Sequence, residues 1–381
     1  MKFYKVLRED ENHNGLQFRD GRVDDPRPFK EKGSCVPGGI YFAPVTSILA
    51  FLDYGPWIRE VTVLDDIKMV KDPGYGPEKY RASSVVLGPR ERWADPEVLR
   101  RLIEEGADVH AADDFALRWA SKNGHTEAAK VLLEAGADVH MWNDEALRWA
   151  AVNGHTKVVR VLLDAGADVH AANDYALRWS ARNGHTEAAK VLLDAGADVH
   201  ADDDDALRQA ARNGHTETVH LLLDAGADVH TKNDLVLRWT AANGHTKVVR
   251  LLLDAGADIH AGDDVALQRA LENGHIETIC ILLNAGANVH ADGDYALRWA
   301  TDRGHTEVVR LLLDAGADVH AWNDYALRWA ARRGYIDVVN LLLKAGADVH
   351  ADGDYALRWA TDKGHTEVVQ VLLEAGASLP T

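Results

Sequence analysis

The chain has 381 residues, 46% of them hydrophobic and 27% charged, a length that suits two or three ordinary domains with a sizeable core. Its formal charge of −18 repels polyanions, which excludes a non-specific nucleic-acid binder and favours a partner with a basic surface. Two widely separated cysteines, Cys35 and Cys280, exclude a disulfide framework and predict a reducing compartment.

The first 94 residues are near charge balance, and the acid excess falls downstream. MKFYKVLRED carries scattered charges rather than the apolar run of a signal peptide. The apolar stretch IYFAPVTSILAFLDYGPWI is broken by Pro44, Asp53 and Pro56, so no membrane span is expected and the location predicted is intracellular and cytoplasmic. FYKVL (3–7), GIYF (39–42), IREVTV (58–63) and SVVL (84–87) read as short strands and VTSILAFL (45–52) as a helix, which predicts a small α+β domain over residues 1–94. Asp95-Pro96 then reads as an N-cap followed by proline at the first helical position. The helix it starts runs through Val98, Leu99, Leu102 and Ile103, a capping half-repeat over residues 95–110.

From residue 111 the sequence is periodic. Gly-Ala-Asp-Val-His, with small variations, recurs from Gly106 to Gly346 at an interval of 30 residues, with a frayed copy at Gly376. An Asp-x-Ala-Leu-Arg phrase recurs between those marks, from Asp114 to Asp354, so residues 111–381 are expected to hold nine repeats and a frayed end. In the unit 171–200, AANDYALRWSARNGHTEAAKVLLDAGADVH, Asp174 is expected to accept hydrogen bonds from the first-turn amides of a short helix. That helix buries Ala176 and Leu177 and stops at Asn183-Gly184. A second helix from near Thr186 buries Ala188, Ala189, Val191, Leu192 and Leu193 and ends at Gly196. Neither helix is long enough to stand alone, so each unit must stack on its neighbours.

GHTEVVRLLLDAGADVHA (304–321) resembles the second half of an ankyrin repeat, and the likeness covers roughly residues 97–379. The repeats are shorter than the usual 33-residue form, and Tyr-Ala-Leu-Arg stands where that form has Thr-Pro-Leu-His. This compressed pattern is similar to the ankyrin repeats of Mimivirus-type giant viruses and of some phages. The stretches His13–Phe18, Cys35–Phe42 and Asp53–Arg59 look like the small domain that precedes such arrays. The resemblance implies a mostly α, solenoid fold of helix-turn-helix units behind a small α+β domain. It implies a non-enzymatic scaffold that binds a macromolecule, a protein above all, through its concave face and shortened tips, as a viral or phage host-interaction factor.

Several positions invite chemistry. Arginines at one register (Arg118, Arg148, Arg178, Arg208, Arg238, Arg298, Arg328, Arg358) follow the capping Asp by four, which predicts an Asp–Arg structural ladder; capture of a small anion is the alternative. Of nineteen histidines, all but His13 and His220 occupy two repeat registers. Histidines a repeat apart cannot converge to the roughly 2.0–2.3 Å that zinc requires. No metal is therefore assigned, and the rings are expected to tie loops together. Tryptophans from Trp119 to Trp359 share a core-leucine register and are expected to pack.

Positions that differ between units are free to serve a partner. In the first half of the array these are Trp142, Tyr175, Arg182 and Arg212. In the second half they are Tyr295, Arg303, Trp322, Tyr325, Arg332, Arg333, Tyr355 and Lys363. Aromatic and arginine anchors of this kind suit interface hot spots. No P-loop or Rossmann glycine pattern and no nucleophile–base pair is present in the repeats, so no cofactor and no catalytic residue is assigned. The alternative lies in residues 1–94, where Pro37-Gly38-Gly39-Ile40-Tyr41-Phe42-Ala43, with His13 upstream, resembles the Gly-Ile-Tyr-Phe-Ala strand of ADP-ribosyltransferases. That likeness implies NAD handling, with Glu60 or Glu78 as the acid. Self-association through this region is also open.

Overall fold

The computed structural model describes residues 1–13, 15–30, 32–33 and 38–378. Cys35, Asn14 and Pro37 lie outside them. The chain forms two compact units, Met1–Asp198 and Val199–Thr381.

The first unit begins with ten strands: β1 (Phe3–Leu7), β2 (Asn12–His13), β3 (Leu16–Gln17), β4 (Gly21–Asp24), β5 (Ile40–Pro44), β6 (Trp57–Thr62), β7 (Met69–Lys71), β8 (Tyr80–Ala82), β9 (Ser84–Leu87) and β10 (Glu91–Arg92). The four strands expected from sequence are present as β1, β5, β6 and β9. The others have two to four residues, too few to show an alternating pattern. Eight strands form an antiparallel sheet in the order β4-β9-β6-β1-β5-β8-β7, with β10 on β6, while β2 and β3 form a separate ribbon. Leu7, Phe18, Val23, Ile40, Phe42, Val61, Val85 and Leu87 make its buried core.

β1 pairs with β6 along its whole length but with β5 only at Phe3↔Pro44 and Tyr4↔Ala43. Beyond those two pairs β1 and β5 part company, which opens the sheet between residues 5–7 and 40–42. Between β5 and β6 the expected α-helix is a 3-10 helix, Val45–Tyr54, that buries Val45, Ile48, Leu49 and Leu52.

The helix Pro96–Glu104 starts as the sequence predicts, with the Asp95 carboxylate accepting from the Glu97 N–H at 2.9 Å and proline in the first turn. Lys2 donates to Glu105 at 2.6 Å, Arg101 donates to Glu91 at 2.9 Å, and the Asp108 N–H donates to the Thr46 carbonyl at 3.3 Å. Trp93, buried, meets the His125 ring edge-on at 5.3 Å. The 3-10 helix lies against Ala111–Lys122, so the strand region covers the exposed flank of the first repeat.

Each repeat has a first helix of twelve or thirteen residues, as in Ala171–Arg182, and a second helix of nine, as in Thr186–Asp194. Leu177, Ala181, Ala188 and Leu192 have no exposed surface. The start of the first helix differs from the sequence reading. Ala172, Asn173 and Asp174 have φ of 54°, 58° and 52°, a left-handed turn that recurs in every repeat. An N-cap must be extended to reach the first-turn amides, and Asp174 is not; it makes no such cap. Its buried carboxylate accepts instead from the Asp198 N–H at 2.8 Å, 24 residues on, with His170 Nδ1 at 3.1 Å. The same tie joins Asp114 to Asp138, Asp144 to Asp168, Asp234 to Asp258 and Asp324 to Asp348.

The Asp–Arg ladder holds only in part: Arg208 meets Asp205 at 3.1 Å and Arg328 meets Asp352 at 3.2 Å, but the partners the register shares are backbone carbonyls. Arg148 donates to the Asn143 and Trp142 carbonyls at 2.9 and 2.8 Å, and Arg328 to those of Asn323 and Trp322 at 3.0 and 2.9 Å. The arginines therefore hold the left-handed turn, whose conformation costs roughly 1–2 kcal/mol per residue. Gln268 keeps one such bond, to Asp263 at 3.4 Å. The loop-tying role expected of the histidines is seen directly: His155, His185, His245 and His275 each place Nε2 within 3.0–3.1 Å of a carbonyl 33 residues earlier. A carbonyl only accepts, so Nε2 carries the proton there. The ring of His245 fills the space beside Gly214, where a Cβ would come within 2.6 Å, and with a φ of 77° this accounts for the glycine there.

Candidate protein-interaction face

Side chains four apart on the first helix share one face, and the repeats place an aromatic ring, a tryptophan and a cation along it. In the first unit Phe115 stacks on Trp119 at 5.8 Å and Tyr175 on Trp179 at 5.3 Å. Arg182 lies 4.4 Å over Trp179, and Lys122 lies 4.6 Å over Trp149 of the next repeat. Trp142 is 60% exposed, with Arg118 5.7 Å from its ring, while Arg148 lies 5.4 Å over Tyr175.

In the second unit Arg212 lies 5.1 Å over Trp239, and Arg303 lies 4.8 Å over Trp299. The pattern is densest further on. Tyr325 stacks on Trp329 at 5.3 Å, Tyr355 packs on Trp359 at 4.3 Å, and the Arg332 guanidinium sits between Trp329 and Trp359 at 4.6 and 4.7 Å. Trp322 is 63% exposed, with Arg298 4.5 Å over it. Arg333 pairs with Asp302 at 2.9 Å. Tyr295 approaches Glu272 at 3.4 Å; burial first, then the Glu272 carboxylate, pushes its phenol above the ordinary range. Lys363 joins no ring stack and meets Asp362 at 3.6 Å.

The structure thus gathers Trp322, Tyr325, Arg332 and Tyr355 in adjoining repeats and leaves Lys363 apart. It also adds residues that sequence reasoning put in the core. Trp179, Trp299, Trp329 and Trp359 are only half-buried and Trp149 is exposed, whereas Leu177 and Leu327 of the same helices are fully buried. A signal was available: each of these tryptophans lies four residues after the variable aromatic position, on that position's face and not on leucine's. Chemically, the face offers rigid flat surfaces whose cations are held by ring contact, each contact contributing about 0.5–1 kcal/mol at an exposed site.

The family model for ankyrin repeats (3 copies) matches residues 91–173, 170–233, 208–292, 237–323 and 299–381. An ankyrin repeat protein of Acanthamoeba polyphaga mimivirus is 45% identical over 103 residues, 26% of this chain and 34% of that protein. A second from the same virus is 32% identical over 134 residues, 34% of this chain and 65% of that protein. A third is 32% identical over 130 residues, 32% of this chain and 21% of that protein. The chain spans less than two thirds of the length of each of these three relatives. Among the described residues no helix is long and apolar enough to cross a membrane. The repeated helix pairs, the ties between their loops and a family match that runs from residue 91 to residue 381 agree: this chain belongs to the ankyrin-repeat family.

Proposed function

We propose that this chain is a non-enzymatic recognition protein that binds a protein partner through the aromatic and cationic face of its first helices, with the strongest patch around Trp322, Tyr325, Arg332 and Tyr355. The observation that carries the reading is the Arg332 guanidinium held between Trp329 and Trp359, on the helix whose opening turn exposes Trp322. Such a patch combines large apolar area with little entropy left to lose, the property of interface anchors. The overall charge of −18 favours a basic partner surface at long range. At the patch itself Arg303, Arg332 and Arg333 complement flat side chains flanked by carboxylates. In this reading the chain is a viral or phage factor that engages a host protein in the host cytoplasm, and the mimivirus relatives support the viral origin. Residues 1–94 and the half-repeat 95–110 serve in this reading to cap the stack of repeats 111–381.

Replacing Trp322, Tyr325 and Arg332 together by Ala tests the patch. Affinity capture with the unaltered chain and the triple variant, at equal helical circular dichroism, is expected to show the bound partner at least about 30-fold weaker on the variant, the equivalent of one strong hot spot. Undiminished capture of every partner would remove this reading.

A further inference from the structure

We propose that the cleft opened between β1 and β5 is a binding site for a nucleoside phosphate, separate from the repeat face and not dependent on it. The cleft has a volume of about 770 Å³, within the range that encloses a small ligand. Its floor and walls are flat or apolar, with Phe18, Ile40, Tyr41, Phe42 and Phe51 among them. Among the described residues its charged lining is of one sign, Lys5, Arg8, Arg27 and Lys79, with no carboxylate, and the His13 ring adds a polar edge. That is a local reversal in a chain whose formal charge is −18.

The cations converge on the cleft. Lys5 Nζ donates to the Tyr41 carbonyl at 2.7 Å and lies 4.7 Å over the Phe18 ring. Burial pushes its ammonium down to about 8 with no carboxylate to oppose the shift. His13 is also pushed down, by burial first and then by Lys5, Arg8 and Arg27, which places all four groups in one field. Arg27 is partly neutralised by the Asp25 carboxylate at 2.8 Å. Arg8 is exposed at the mouth.

A bare phosphate would make no use of the aromatic walls, and a neutral ring would make no use of the cations; a ligand that carries both fits both. Glu60 and Glu78, the acids considered from sequence, do not line the cleft. Glu78 instead accepts from Lys71 at 2.7 Å and Tyr80 at 2.6 Å. The site is therefore one for binding, through charge-assisted hydrogen bonds and stacking.

Titration calorimetry of the full chain with ADP, adenosine and inorganic phosphate tests the site. ADP is expected to bind in the micromolar range, and adenosine or phosphate alone at least about ten-fold more weakly. Arg8→Glu, at an exposed position, is expected to leave the melting temperature unchanged and to weaken ADP at least about ten-fold, and Lys5→Met to weaken it similarly. No heat with ADP at millimolar concentration, ADP no tighter than phosphate, or full ADP affinity in Arg8→Glu would each overturn the proposal.

Discussion

Arg59→Met is expected to destabilise the strand region by about 3–5 kcal/mol, the cost of stranding a charge by removing its partner from a buried ion pair. The Arg59 side chain is 3% exposed. Its Nε and Nη2 donate to the two oxygens of Glu11 at 3.1 and 3.0 Å, and its Nη1 donates to the Gly88 carbonyl at 2.6 Å and to Asp20. Methionine fills much of the same volume but leaves the Glu11 carboxylate buried and unmatched. Glu11 itself has φ of 49°, and its carbonyl accepts from the Phe18 N–H at 2.8 Å, so the loop after β1 loses its anchor. The loss is expected as faster amide hydrogen exchange in β1 and β6 at unchanged exchange in the distal repeats. Adding Glu11→Gln should recover much of it, because the stranded charge is the larger part of the cost. A single variant within about 1 kcal/mol of the parent would contradict the account of this pair.

Asp234→Ala is expected to cost about 3 kcal/mol, read by urea unfolding followed at the helical circular dichroism band. Asp234 is buried with φ of 52° and accepts from the Asp258 N–H at 2.8 Å, with His230 Nδ1 at 3.2 Å. A hydrogen bond to a charged group contributes about 1.5–3 kcal/mol, and alanine tolerates the left-handed conformation less well than aspartate does. The substitution Asp234→Asn keeps an acceptor and that backbone tolerance, so it should lose only about 1 kcal/mol. Equal losses for the two substitutions would mean that the loop tie does not hold the turn. Because each repeat rests only on its neighbours, the damage is expected to spread to the adjoining repeats.

The period of 30, the two helices of each repeat and the capped helix at Pro96 were legible because each is written in local chemistry: apolar spacing, glycine at helix ends, Asp before Pro. The left-handed turn was not read, although Asn173-Asp174 and Gly293-Asp294 carry its signal in residues that tolerate positive φ. Without that turn the aspartate looked like a cap and the arginine like its partner. The tryptophans were misplaced because their burial depends on how far the neighbouring repeat covers the helix, which spacing within one repeat does not contain. Some lining residues of the cleft, His13 and Gly38 to Ala43, were singled out in the sequence, but its shape was illegible for a stronger reason. It exists because β1 keeps its pairing with β6 and abandons β5 after two residues, a choice made between segments more than thirty residues apart. The residues proposed for recognition, Trp322, Tyr325, Arg332 and Tyr355 among them, were picked by asking which positions vary between similar repeats, and that question needs only the sequence.

The central claim is that the repeated letters build the stack and the variable ones meet the partner. Hydrogen–deuterium exchange of the full chain, free and bound to the partner recovered by affinity capture, tests it most directly. Slowed exchange is predicted in the first helices Ala321–Arg333 and Ala351–Lys363 and in the turns that open them. Protection confined to second helices such as Thr306–Asp314 and Ile336–Lys344 would contradict the account.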